Sequence, residues 1–472
     1  MFTIRLNFLL KKEKKCDMID KVILYKTNTS GGKMKKGNAW ALLPIGVFVI
    51  LYLSLGIIFE YVLKISMGFY SVPIVVIFLV AVLVACLQNR SLSFDKKLEI
   101  MGQGVGDKNT ITMLLIFLLA GIFVGVVGRS SAESVAYFLL SAVPPQLAVC
   151  VIFIVSCFVS TAMGTSVGTI TLITPIAVAI STTSGFSLPL CVGTVMGGAM
   201  FGDNLSFVSD TTIAACTGQG CAMRDKFKTN FAIVLPAAIV TIGLILALSL
   251  NADIQPIEAK EYNLLQILPY LLVLIGGIVG INVFVTLMVG IVSGSIIMLA
   301  TGGGFFNLVS GMGEGVSGMF ETAMVAVLVS ALCALIREAG GFQALLDGIR
   351  RVFKGKRAGQ LGIGLLVGLM DIATANNTVA IVMANPIASE MAKDYEISPR
   401  KTASILDTFS CIFQGVLPYG AQMLVALSVV GAMGLELSAF NVIAHLFYPM
   451  MLLISSLVFM FFIPERKRSQ EN

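Results

Sequence analysis

Apolar residues dominate the chain in long runs, and polar residues fall between the runs or in a few dense islands inside them. The runs cover about 41–63, 70–88, 111–128, 137–163, 167–181, 188–213, 230–250, 264–281, 283–300, 319–336, 360–373, 378–392, 404–426 and 441–463. A bilayer core takes about 20 apolar residues per helix. The pattern therefore predicts an all-α, polytopic membrane protein of about 11–13 transmembrane segments, with closely spaced pairs of runs read as half-helices.

Two polar breaks interrupt the runs and read as copies of each other. The first is Gly164-Thr-Ser-Val-Gly-Thr-Ile-Thr-Leu-Ile-Thr-Pro-Ile-Ala177, and the second is Ala375-Asn-Asn-Thr-Val-Ala-Ile-Val-Met-Ala-Asn-Pro-Ile-Ala388. At one constant offset the Pro-Ile-Ala triplets coincide, and Thr165 and Ser166 fall on Asn376 and Asn377. The same offset lays Asp203-Asn-Leu-Ser206 on Gln414-Gly-Val-Leu417. Backbone that leaves helical geometry at membrane depth is tolerated only where protein buries it or a watery cavity receives it. Thr, Ser and Asn side chains at such breaks supply oxygens for a desolvated cation, while helix N-termini favour an anion.

Charge orients the copies. With the N-terminus inside, the basic stretches Arg90–Lys108, Arg224–Lys228, Arg350–Arg357, Lys393–Lys401 and Arg466–Arg468 all fall on the cytoplasmic side, as the positive-inside rule asks. The acidic loop with Asp253, Glu258 and Glu261 falls outside. The two breaks then run in opposite directions, which predicts two inverted-topology repeats with interrupted helices, the architecture of secondary transporters. The expected organisation is a disordered cytoplasmic basic arm (1–38), a first repeat (39–250), an external linker (251–263) and a second repeat with a short basic cytoplasmic tail (264–472). Met34 is an alternative start, with Trp40 at the interface.

Composition narrows the function. The chain is 57% hydrophobic and 12% charged, against about 25% charged in soluble domains. Its net charge of +6 sits in the loop clusters, so no nucleic-acid partner is expected; the partner surface is the lipid bilayer. Nine cysteines show no paired ligand spacing, and one histidine excludes a multi-histidine metal site. Gly302-Gly-Gly304 and the glycines from 311 to 318 lack the Lys-Ser/Thr ending of a phosphate loop, and read as loop and helix-packing glycine. No nucleophile–base pair is visible, so no enzyme activity and no cofactor is expected.

The densest polar island is Gly197-Gly-Ala-Met-Phe-Gly-Asp-Asn-Leu-Ser-Phe-Val-Ser-Asp-Thr-Thr212. A carboxylate at membrane depth costs about 2.5–3.5 kcal/mol on insertion scales, so Asp203 and Asp210 call for a role. On one continuous helix their spacing of seven puts them on the same face. Carboxylate, amide and hydroxyl oxygens suit a hard cation, and a proton competes for the same oxygens. Asp210 has the alternative of capping a helix. Asp371 directly precedes the second break and Asp407 follows one run later; both are expected to face the bundle interior.

At these residues the chain resembles the NhaC family of sodium/proton antiporters, within the wider ion-transporter superfamily. Gly202-Asp-Asn-Leu-Ser-Phe-Val-Ser-Asp-Thr-Thr212 is similar to the family signature Gly-Asp-x-x-Ser-Pro-x-Ser-Asp-Thr-Thr, with Gly164-Thr-Ser166 and Ala375-Asn-Asn-Thr378 beside it. Phe207 stands where the family has proline. The resemblance spans about residues 40–465 and implies a Na⁺(Li⁺)/H⁺ antiporter of a bacterial or archaeal plasma membrane. Asp203 and Asp210 would bind Na⁺ and proton in alternation, helped by Asn204, Ser206, Ser209, Thr211, Thr165, Ser166, Asn376 and Asn377, with Asp407 and Asp371 as further carboxylates. The alternative is Na⁺- or H⁺-coupled transport of an organic anion, such as malate against lactate, or of an amino acid. No intramembrane Lys or Arg is apparent near the breaks to anchor such a substrate. A homodimer is an open option.

Overall fold

A computed structural model describes residues 37–64, 72, 74–206, 209–252, 262–279 and 281–462. The basic arm through residue 36, most of the external linker, the C-terminal tail and Phe207 lie outside the described residues. Among those described, no strand occurs and the helices run α1 (Leu43–Ile57), α2 (Ile74–Gln88), α3 (Phe94–Val105), α4 (Lys108–Ala142), α5 (Pro145–Met163), α6 (Ser166–Ser184), α7 (Leu188–Leu205), α8 (Asp210–Gln219), α9 (Met223–Leu250), α10 (Leu264–Val279), α11 (Val283–Ala300), α12 (Phe305–Gly318), α13 (Phe320–Glu338), α14 (Gly341–Val352), α15 (Lys356–Thr374), α16 (Asn377–Asp394), α17 (Pro399–Val416), α18 (Ala421–Ala432), α19 (Ala439–Ile443) and α20 (Phe447–Phe462).

The fold is a polytopic membrane bundle. Among the described residues, eight helical stretches are long and apolar enough to cross a bilayer, and three shorter apolar helices accompany them. The offset read from the breaks carries into the element boundaries. Helices begin at 94 and 305, 145 and 356, 166 and 377, 188 and 399, and 210 and 421, each pair 211 residues apart. α6 and α7 are buried almost all round, as expected of central helices with no polar face. The lipid-facing positions lie on peripheral helices such as α9 and α11, which leave Ile239, Leu248, Val285 and Ile296 exposed.

Two expectations about continuity are corrected. The run 137–163 is not one segment: α4 carries through its Ser-rich middle to Ala142, and the chain restarts at Pro145. The Pro144-Pro145 pair causes this, because the residue before a proline is pushed out of helical geometry while proline suits a first helical position. The run 188–213 also breaks. α7 stops at Leu205 with Ser206 extended, and α8 begins only at Asp210.

The glycines near residue 311 act in packing, whereas Gly302 and Gly304 take positive φ in the turn between α11 and α12. Gly121 and Gly125 of α4 face Gly311 and Gly315 of α12, and a Cβ on any of them would collide with a backbone carbonyl of the opposite helix. Small residues four apart let membrane helices approach to backbone contact. Gly315→Leu is therefore expected to destabilise the bundle by on the order of 1–3 kcal/mol through overpacking, seen as a lower unfolding temperature in detergent. Gly313→Ala is the matched control, since a Cβ there meets nothing within 4 Å.

Candidate ion-binding site

Both breaks are built alike. α5 ends at Gly164, in the left-handed region with φ 70°, and extended Thr165 caps α6 by accepting from the Gly168 amide at 3.3 Å. α15 ends at Ala375, φ 48°, and extended Asn376 caps α16 by accepting from the Val379 amide at 3.1 Å. A polar cap satisfies one of the free amides at a helix start. Glycine enters the left-handed region freely, but Ala375 does so against a steric cost, a strain that persists only where the surroundings impose it. Pro175 and Pro386 then sit inside the two following helices.

The breaks meet at a cavity of about 90 Å³. Eight of the expected residues line it: Thr165, Ser166, Asp203, Ser209, Asp210, Thr211, Asn376 and Asn377. At about 30 Å³ of liquid per water molecule, this is room for a partly hydrated ion. Asp203 occupies the last turn of α7 and is buried. Its Oδ1 accepts from Ser209 Oγ at 3.3 Å, and Ser209 shares a 2.8 Å hydrogen bond with Thr211. The carboxylate is held in place by glycine. A Cβ on Gly198 or Gly202 would strike α5 at Phe153 and Ser156, or at Ser160 and Thr161, so only a glycine face lets α7 lie this close.

Asp210 differs from its expected placement. The break after Leu205 removes it from the helical face of Asp203, and it stands exposed in the first turn of α8, behind Ser209 at the cap position. A negative charge there also favours the helix N-terminus. The two aspartates reach one cavity from opposite sides of a break, one buried and one in contact with solvent.

Four other expected residues do not line the cavity. Asn204 points away, its amide donating to Met200 O at 2.9 Å and to the Tyr448 hydroxyl at 3.2 Å. Ser206 is the buried residue that ends α7. Asp371 is fully buried on α15, and neither of its carboxylate oxygens has a hydrogen-bond partner among the described residues. Asp407 is buried too, but its carboxylate lies 2.8 Å from Lys226 Nζ, with both side chains 1% exposed.

Lys226 corrects the reading of the cytoplasmic cluster, because it is an interior cation close to the breaks. It also donates to the Asn204 carbonyl at 3.0 Å and to Thr212 Oγ1 at 2.7 Å, while Asn230 bonds Asp407 at 2.7 Å and the same carbonyl at 2.8 Å. These bonds hold the frayed end of α7 against α9 and α17. The signal was the buried stripe of α9: Ile233, Val234 and Ala237 continue backwards at helical spacing onto Asn230 and Lys226. Arg224 and Lys228, on the other side of that helix, are exposed.

Gln414 and Gln422 also line the cavity without having been singled out from sequence as oxygen donors. Gln414 Nε2 donates to the Ala375 carbonyl at 3.3 Å, and Gln422 Nε2 donates to Ser166 Oγ at 2.7 Å.

Comparison with known proteins places this geometry in context. The chain matches the Na⁺/H⁺ antiporter family over residues 36–250 and 251–463. It is 25% identical over 230 residues to the Malate-2H(+)/Na(+)-lactate antiporter of Bacillus subtilis, covering 47% of each chain. It is 22% identical to the Na(+)/H(+) antiporter NhaC of the same organism, over 67% of this chain and 78% of that one. The chain thus spans about half the length of the first relative and more of the second. Among solved structures, the Alcanivorax borkumensis YdaH transporter aligns over 88% of this chain and 97% of its own, at 14% identity and a TM-score of 0.43.

Proposed function

The chain belongs to the Na⁺/H⁺ antiporter family, and from that premise we propose that it exchanges Na⁺ or Li⁺ for H⁺ at the cavity between the two breaks. The observation that carries this reading is Asp203, a buried carboxylate on a cavity otherwise walled by hydroxyl and amide groups from both halves of the chain. Proton and cation compete for its oxygens, so each leaves when the other binds. Asp210 supplies a second, solvent-shared carboxylate at the same cavity. The family match in two segments meeting at residues 250 and 251, with the 211-residue spacing of helix starts, supports two repeats. The placement of the basic loops supports their inversion, and the proposed topology puts both termini in the cytoplasm and the protein in the plasma membrane. Alternating access comes from one repeat bundle rocking or sliding against the other. A homodimer is compatible with this scheme but not required by it.

A second reading, coupled exchange of an organic anion, is favoured by the similarity to the malate/lactate antiporter. It asks for a cationic anchor, and the buried Lys226 is already neutralised by Asp407. Everted vesicles containing the full chain separate the readings. Na⁺ or Li⁺ is expected to dissipate a preformed pH gradient without any organic anion present. Silence to both ions across neutral and mildly alkaline pH sinks the antiport reading. Na⁺-dependent uptake of labelled malate or lactate establishes the second.

A further inference from the structure

Gln414 and Gln422 line the second-half side of the cavity, beside Asn376, Asn377 and Thr378. Both are almost fully buried; the NH₂ end of Gln414 donates to the Ala375 carbonyl and that of Gln422 to the Ser166 hydroxyl. The opposite end of each, Oε1, is buried with no hydrogen-bond partner. Buried acceptors are nearly always satisfied, and an unpaired one marks a place where something else supplies the partner. The Ala375 carbonyl can only accept, so the Gln414 amide cannot turn to offer a donor instead. Such oxygens are met either by a cation or by the hydrogen of a donor such as water. Both side chains line the cavity that Asp203 lines, and carboxylate and amide oxygens are of the kind a hard cation accepts.

The repeat explains their position. At the 211-residue offset Gln414 stands where the first half has Asp203, and Gln422 stands where it has Thr211. One half thus contributes a charged oxygen and the other a neutral oxygen from the matching place. Asp407 adds no net charge, since Lys226 cancels it, and Asp210 shares its charge with solvent. The buried part of the cavity wall is left with the single negative charge of Asp203.

Resting on the antiport reading for the identity of the ion, we infer that Gln414 and Gln422 are the second half's ligands to the transported cation, completing a singly charged oxygen cage suited to a monovalent rather than a divalent ion. Two measurements on the purified full chain test this: equilibrium binding of radiolabelled Na⁺ in detergent, and exchange in proteoliposomes. Gln422→Met is expected to raise the half-saturating Na⁺ concentration by at least about tenfold in both, the factor that one lost bond to a charged group brings. Gln422→Glu keeps the size and adds a second buried charge; Ca²⁺ should then displace Na⁺ where it does not in the wild type. Gln414→Glu is expected to behave in the same way if the Gln422 variants fail to fold. Unchanged Na⁺ dependence together with unchanged Ca²⁺ insensitivity in folded Glu variants overturns the inference. So does a wild type that binds no Na⁺, or one in which Ca²⁺ competes equally. A wild type that binds Na⁺ through these glutamines but does not exchange it for protons overturns the antiport reading alone.

Discussion

Asp203→Asn is expected to abolish Na⁺-driven proton exchange, lowering the rate by about a hundredfold or more. The side chain is buried on the cavity wall, and asparagine keeps its shape and its hydrogen bond from Ser209, so the fold survives while the charge is lost. A charge–charge contact in a desolvated site is worth several kcal/mol, and each 1.4 kcal/mol is tenfold in affinity. Asparagine also cannot take up and release the proton that exchange requires. Asp210→Asn is expected to cost less than about tenfold, because an exposed charge is screened by water and salt. Both are read in everted vesicles as the rate at which added Na⁺ collapses a pH gradient. Normal transport by Asp203→Asn would remove this residue from the mechanism, and equal losses in both variants would mean that the two aspartates act as one unit.

The second large effect concerns stability. Lys226→Met is expected to destabilise the protein by about 3–5 kcal/mol, the usual consequence of leaving one member of a buried pair uncompensated. Among the described residues, Asp407 would keep only its bond from Asn230, and the Asn204 carbonyl would lose one of its two side-chain donors. Adding Asp407→Leu should recover much of that loss, because removing both charges is often neutral or better. Thermal unfolding of the four proteins in detergent gives the double-mutant cycle. A Lys226→Met protein as stable as the wild type, or a double variant no better than the single, contradicts the pair's role in holding α7 to α17.

Much of this was legible in the sequence because the bilayer imposes simple rules. Long apolar runs, charged loops and two polar breaks fixed an all-helical bundle, and a constant offset located breaks that the structure builds with the same turn and cap. The residues of the break itself were the readable part of the site: Thr165, Ser166, Asn376 and Asn377 all reach the cavity. What was not legible depended on interruption and facing. Asp203 and Asp210 share a helical face only if the helix continues, and it stops at Leu205. Lys226 looked like loop charge because it sits among exposed basic residues, although its helix had already turned it inward. Gln414 and Gln422 are neutral, so nothing in their chemistry stood out until the fold brought both side chains to the cavity wall and left their oxygens unpaired among the described residues.

The glycine crossing of α4 and α12 has a mechanical corollary. Each helix seats its carbonyls in notches that the other leaves by lacking a Cβ, much as teeth engage a rack. Lengthwise slip would lift those carbonyls out of their notches, whereas a joint displacement keeps them seated. The two helices are therefore expected to move as a single strut, and any sliding within the bundle is expected away from this crossing.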